Sequence, residues 1–227
     1  RNACSQWLVE PDGKLLVPLY IGTSTKSPFS TTVAECEFDG THLRYRRHGS
    51  VLRLPIRRGL YEPSLVRFQD RYFLTLRNDE RAYVAASDDG LNFAAPQPWV
   101  FDDGQELGSY NTQQHWLAHS RGLFLVYTRR GANNDHIMRH RAPLFMARVD
   151  PVNLRVLRAT EKIIMPERGA DLGNFGASLI SANESWVTAS EGVFAKDAKA
   201  RGATGATLLA RIHWSVPNAL DGTTADR

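Results

Sequence analysis

From end to end the chain alternates short apolar runs with tight polar turns, and it does so with a recurring period. Residues 6–20 read QWLVEPDGKLLVPLY, two apolar-aromatic runs about Asp12-Gly13, and Asp-Gly between such runs is a strong hairpin signal. Residues 33–45 (VAECEFDGTHLRY) repeat the pattern about Asp39-Gly40. Further hairpins are expected over residues 64–78, 82–93, 113–130, 143–162 and 177–190, with a last strand over 207–214. Apolar residues alternate or run in short blocks and do not recur at i, i+3, i+4, i+7, so no helix of more than about a turn is predicted.

Taken in pairs, the hairpins make three four-stranded units and most of a fourth, beginning near Cys4, Glu62, Asn111 and Gly173. All-antiparallel sheets recurring at about 50 to 60 residues suit propeller blades. A sandwich of the same strand number is the structural alternative. The expectation is an all-β chain, residues 1–227 forming a single β-propeller domain with about four blades. A ring must close to cover its sheet edges, so a missing segment or another chain is expected to complete it.

Composition narrows the function classes. With 42% hydrophobic residues the chain can bury a core, which sets it apart from disordered sequences. A net charge of +4 is mild, and arginines interleave with acidic residues instead of forming a basic stripe, which argues against nucleic acid as a partner. Cys4 and Cys36 make neither a disulfide framework nor metal-ligand spacing. The pairs His115/His119 and His136/His140 are spaced for a metal on a helix, whereas they fall in strands and loops. No metal and no cofactor is therefore expected. No apolar run is long enough to span a membrane. No leader is recognisable; a secreted or periplasmic location is the expectation if one precedes this sequence.

Hairpin direction locates the site. In each blade the start of the first strand, the end of the second and the loop after it share one face. Glu62, Asn111 to His115 and Asn174 lie at first-strand starts; Arg77 and Tyr127 lie at second-strand ends. The longest return loop, residues 129–143, brings Arg129, His136, Arg139, His140 and Arg141 to the same face. Arginine forks bind carboxylates bidentately, so their convergence points to an acidic oligosaccharide or polysaccharide. Asn111, Gln113 and Gln114 suit hydroxyl recognition. His115 suits acid-base work near neutrality, and Tyr127, flanked by cations, suits a nucleophile or proton donor. For each, a packing or ion-pair role is the competing reading.

Residues 86–93, ASDDGLNF, resemble the Asp-box of sialidases through Asp88, Gly90 and Phe93, with Ala86 and Asn92 replacing the usual Ser and Thr. YEPSL at Tyr61, LTLRND at Leu74, and the run from NTQQHW to PERGADLGNF resemble bacterial sialidase-like (neuraminidase superfamily) propeller proteins. The resemblance implies six blades in the complete ring and an exo-glycosidase acting on a carboxylate-bearing sugar. It further implies that Arg77 clamps the carboxylate and that Glu62 supports a tyrosine nucleophile. The arginine-isoleucine-proline motif and an acid aspartate of that family are not visible. Propeller polysaccharide lyases suggest another chemistry, in which Arg129 and Arg139 neutralise a uronate while His115 and Tyr127 move the protons. A glycan-binding propeller without catalysis is a third reading.

Overall fold

The computed structural model describes residues 1–22 and 28–220. Its strands form four antiparallel sheets in chain order. The first contains β1 (Leu8–Val9), β2 (Leu15–Ile21), β3 (Ser30–Phe38) and β4 (Leu43–His48), with β5 (Leu52–Arg53) pairing on β3. The second contains β6 (Tyr61–Phe68), β7 (Arg71–Arg77), β8 (Tyr83–Ser87) and β9 (Gln97–Pro98). The third contains β10 (His115–His119), β11 (Gly122–Tyr127), β12 (Leu144–Asp150), β13 (Arg155–Val156) and β14 (Lys162–Met165). The fourth contains β15 (Phe175–Ser181), β16 (Glu184–Ser190) and β17 (Thr207–His213). Helical structure is confined to single 3₁₀ turns at Met138–His140 and Arg158–Thr160 among the described residues.

The four sheets are propeller blades. The first strands of the second, third and fourth blades pack side by side, β6 on β10 and β10 on β15. Strand periodicity explains how the inner blades are buried on both faces. In β11, Leu123, Leu125 and Tyr127 point into the core shared with the second blade, whereas Val126 points into the core shared with the fourth. In β7, Phe73 faces the third blade, while Leu74 and Leu76 face the first. Each fully buried Leu or Phe contributes about 1.5–3 kcal/mol relative to exposure.

Gln6 ties the blades together at the axis. Its Nε2 donates to the carbonyls of Trp116 and Ala177, both at 3.0 Å, and its Oε1 accepts the Trp116 N–H at 2.6 Å. Its carbonyl also accepts the Leu65 N–H. One amide side chain thus bridges the first, third and fourth blades. Beside it, a cavity of about 1080 Å³ runs between the first and fourth blades, lined by Trp7, Val9, Leu65, Trp116, Phe175 and Leu179 among others.

Two details differ from the sequence expectation. The fourth strand of the second blade is Gln97–Pro98, not the segment ending at Phe93. The Asp-box turn is organised by Asp89 and Ser87, one residue after the aligned Asp88 and Ala86. Asp89 accepts the N–H groups of Leu91 and Asn92 at 2.9 and 2.7 Å, and Ser87 Oγ accepts those of Asp89 and Gly90. Partial burial opposes charge on Asp89, but these donors outweigh it and hold the carboxyl well below the ordinary range. Asp88 points to solvent beside Arg71. Spacing therefore departs from the sialidase box.

Candidate active site

On one end of the axis, charged side chains from three blades meet. Tyr61 pairs with Arg77 across β6 and β7, and the register breaks between Tyr61 and Ser64. Pro63 has no N–H for the ladder, and Glu62 takes a left-handed backbone with φ 45°. This bulge re-aims Glu62, whose carboxylate accepts a hydrogen bond from Arg77. Arg77 Nη2 donates to Asn111 Oδ1 at 2.7 Å, and the guanidinium lies 4.7 Å from the Tyr61 ring centroid.

Asn111 joins this half of the site to the next. Its own φ is 52°, its N–H donates to the Asn78 carbonyl, and its carbonyl accepts Arg141 Nη2 at 2.6 Å. Arg141 faces Asp171, with Nη1 and Oδ2 3.6 Å apart. The other oxygen of Asp171 accepts the Gly173 N–H. A Cβ on Gly173 would lie 2.2 Å from Arg141 Cδ, so only glycine lets this arginine lie across the chain.

Three polar atoms here are buried without a hydrogen-bond partner: Arg77 Nε, Arg141 Nε and Asp171 Oδ2. Buried polar atoms are otherwise nearly always paired, so their concentration at one place singles it out. Backbone strain concentrates here too. Cys4, Glu62, Asn111, Arg139 and His140 all have φ between 45° and 57°, each at a cost on the order of 1–3 kcal/mol.

Burial sets the electrostatics. Asp171 is 6% exposed, and desolvation raises its pKa against the opposing Gly173 N–H and Arg141. The same desolvation lowers that of Arg141. Burial, followed by the charge of Glu62, raises the Cys4 thiol and the Tyr20 phenol. The arrangement pairs one carboxylate hydrogen-bonded by a guanidinium, Glu62, with one whose pKa burial raises, Asp171.

Of the residues expected from sequence, Glu62, Arg77, Asn111 and Arg141 converge here. Arg139 is exposed, close enough to influence both Arg141 and Asp171. His140 Nδ1 is 2.7 Å from the Tyr110 hydroxyl, and its Nε2 is 3.1 Å from Asp135. Asn174 is exposed in the segment that carries Asp171.

The others lie elsewhere. Tyr127 is fully buried between the second and third blades, where its hydroxyl donates to Glu161 at 2.5 Å. Arg129 forks onto the same carboxylate at 2.8 and 2.7 Å. Burial first, then the Glu161 hydrogen bond, pushes the Tyr127 phenol far above its ordinary range, the reverse of an activated nucleophile. His115 sits on the axis, 2.9 Å from Ser64 Oγ and edge-on to Phe175, and burial lowers its pKa to about 4. Gln114 is buried against Thr75 and Ser109. Gln113 is buried beside the Phe175 carbonyl. His136 pairs with Glu167 at 3.2 Å. Among the described residues, no cluster of three or more metal-ligating side chains occurs, and no helix is long and apolar enough to cross a membrane.

Sequence reasoning missed Asp171, Tyr110 and Tyr61. The direction rule that selected Asn174 applies equally to Asp171, four residues before β15; composition alone does not separate them. Tyr110 stands one residue ahead of the selected Asn111.

No family model and no curated protein matches the chain. Solved structures do. The GH32 β-fructofuranosidase of Bombyx mori matches with TM-score 0.58 and 12% identity, over 89% of this chain and 46% of that one. A GH43_1 enzyme from Xanthomonas citri matches with TM-score 0.59 and 14% identity, over 92% and 70%. A Trypanosoma rangeli sialidase in complex with sialic acid matches with TM-score 0.54 and 14% identity, over 90% and 30%. The chain thus spans less than half the length of the first of these, and of several others. At such identity the likeness establishes a fold shared with propeller glycoside hydrolases of several kinds, sialidase being one of them.

Proposed function

We propose that this chain carries the catalytic face of a propeller glycoside hydrolase acting on a carboxylate-bearing glycan. The observation that carries the reading is the Glu62–Arg77–Asn111–Arg141–Asp171 network, built on strained backbone with buried polar atoms left free. Asp171 donates a proton to the glycosidic oxygen, because burial favours its protonated form. Glu62 acts on the opposite side of the bond, as base toward water or as nucleophile. Arg77, Arg141 and the exposed Arg139 outnumber the two acids, and once Asp171 is protonated the excess positive charge grows. That excess suits a substrate carboxylate.

The acidic substrate implied by the sialidase resemblance is retained in this reading. Its tyrosine nucleophile is not, since Tyr127 belongs to an interblade ion pair. β-Elimination is the second reading, favoured by the Tyr110–His140 pair adjoining Asn111 and Arg141 in the chain. The set first considered for it, His115, Tyr127 and Arg129, is dispersed.

The test is a panel of sialosides and uronate polysaccharides, read for new reducing ends and for absorbance of unsaturated uronate. Release of reducing ends without absorbance, lost in Arg77→Ala, is expected. Rising absorbance establishes elimination, and cleavage of neutral glycans alone overturns the acidic substrate.

A further inference from the structure

The segment that carries Asp171 is tied to two neighbours. The Leu172 N–H donates to the Arg141 carbonyl at 2.7 Å. Asp171 itself exchanges both backbone hydrogen bonds with Gly192, its N–H donating at 3.0 Å and its carbonyl accepting at 2.7 Å. Gly192 opens residues 192–206, which lead into β17. Eight of these fifteen residues are glycine or alanine, so side-chain bulk does little to hold their shape. Ala198 and Ala203 are nevertheless buried with Ala170, the residue before Asp171. Gly169 lies close beneath them: a Cβ there would meet Arg201 Cβ at 2.6 Å and the Ala198 carbonyl at 2.7 Å.

Glu191, the residue after β16, closes the segment. Its Oε2 accepts the N–H groups of Thr204, Gly205 and Ala206 at 2.8, 2.9 and 3.2 Å, and the Thr204 hydroxyl at 3.0 Å. Its own N–H donates to the Ala206 carbonyl at 2.9 Å. One carboxylate therefore gathers both ends of residues 192–206. The side chain is 1% exposed, with Arg168 Nε 3.6 Å from Oε1, and Oε1 has no hydrogen-bond partner among the described residues. Burial opposes charge on Glu191, but the donors outweigh it and keep the carboxyl below its ordinary range. A buried carboxylate is a costly way to close a loop, and this one sits beside the residue that pairs with Asp171.

We infer that Glu191 is a positioning residue for Asp171: it closes residues 192–206 into a brace, and the brace, through Gly192, fixes where the Asp171 backbone lies against Arg141. The consequence for turnover rests on Asp171 being the proton donor, as proposed above, whereas the consequence for position does not.

The test combines amide hydrogen exchange of the full chain with kinetics on the glycan it cleaves. Glu191→Ala should speed exchange of the Asp171 and Gly192 N–H groups by about tenfold or more, while those of Leu125 in β11 and Val187 in β16 stay within about twofold. It should lower kcat about 10²-fold, the scale of a misplacement near 1 Å, with KM within about twofold. Glu191→Gln keeps the shape and an acceptor oxygen, so it should show a smaller rise in exchange, about threefold, and recover much of kcat. It decides the matter alone should Glu191→Ala not fold. Unchanged exchange at Asp171 and Gly192 overturns the brace. So does an equal rise at all four amides, which would make Glu191 a support of the whole fold. Faster exchange at Asp171 and Gly192 alone, with kcat unchanged, upholds the brace and overturns instead the reading of Asp171 as proton donor.

Discussion

The molecule contains two largely buried clusters of the same ingredients, arginine, carboxylate and tyrosine, in opposite states. Between the second and third blades, Glu161 accepts Tyr127 and both arms of Arg129, and the guanidinium lies 4.8 Å from the Phe145 ring centroid. Arg129 Nη1 is satisfied by the carbonyls of Arg130 and Gly131. Burial opposes charge on Glu161, but Arg129 and Tyr127 outweigh it and keep the carboxylate ionised. At the axis, Arg77, Arg141 and Asp171 each keep a buried atom unpaired, and the backbone beneath is strained. Identical residue types therefore make a satisfied joint in one place and, on the proposed function, a binding face in the other. Satisfaction of the polar atoms, not their identity, tells them apart.

This contrast can be broken by mutation. The largest effect is expected from Arg77→Ala, which should lower kcat/KM on the cleaved acidic glycan by about 10²–10³-fold, the scale of losing one charged donor in a preorganised site. Glu161→Ala strands Arg129 and the Tyr127 hydroxyl, and chemical denaturation should show a loss of about 3–5 kcal/mol, with kcat on the same substrate within twofold of wild type. Equal activity losses in the two variants would erase the distinction.

A pH titration of stability sharpens it further. His115 is held at about 4, below its unfolded value of 6.5. The unfolded chain consequently binds the proton first as pH falls, and stability drops between pH 6.5 and 4 by roughly 3 kcal/mol at most. His115→Gln should flatten that segment of the denaturation profile; an unchanged slope would show that another group is responsible. Smaller still, Asn111→Gly relieves a left-handed φ but leaves the buried Arg77 Nη2 without its acceptor, and should destabilise by about 1 kcal/mol in chemical denaturation while weakening substrate binding. Stabilisation instead would show that the backbone strain at Asn111 costs more than its side chain contributes.

Much of this architecture is legible in the sequence because the β signal is local. Asp12-Gly13 and Asp39-Gly40 announce their turns, and the short apolar runs between turns mark the strands. Strand direction likewise brings Glu62, Arg77, Asn111 and Arg141 to one end. What local pattern cannot supply is which polar atoms find partners. Tyr127 and Arg129 look like site residues until Glu161, more than thirty positions away, is seen to satisfy both. His115 resembles a neutral-pH acid or base until burial on the axis removes it from that range. Asp171 escapes notice because nothing nearby in sequence shows that Arg141 and Gly173 enclose it.

Asp171 also provides the most direct test of the account, in a comparison of Asp171→Asn with Glu161→Gln for turnover and Tm. Burial raises the Asp171 pKa above its unfolded value, so its contribution to stability is lost as pH rises through the folded value. The neutral amide should accordingly leave Tm at pH 7 unchanged or higher while turnover falls at least about 100-fold. Glu161→Gln should lower Tm and keep turnover within twofold. Retained turnover in Asp171→Asn, together with its loss in Glu161→Gln, would contradict the assignment and move the active centre to the interblade cluster.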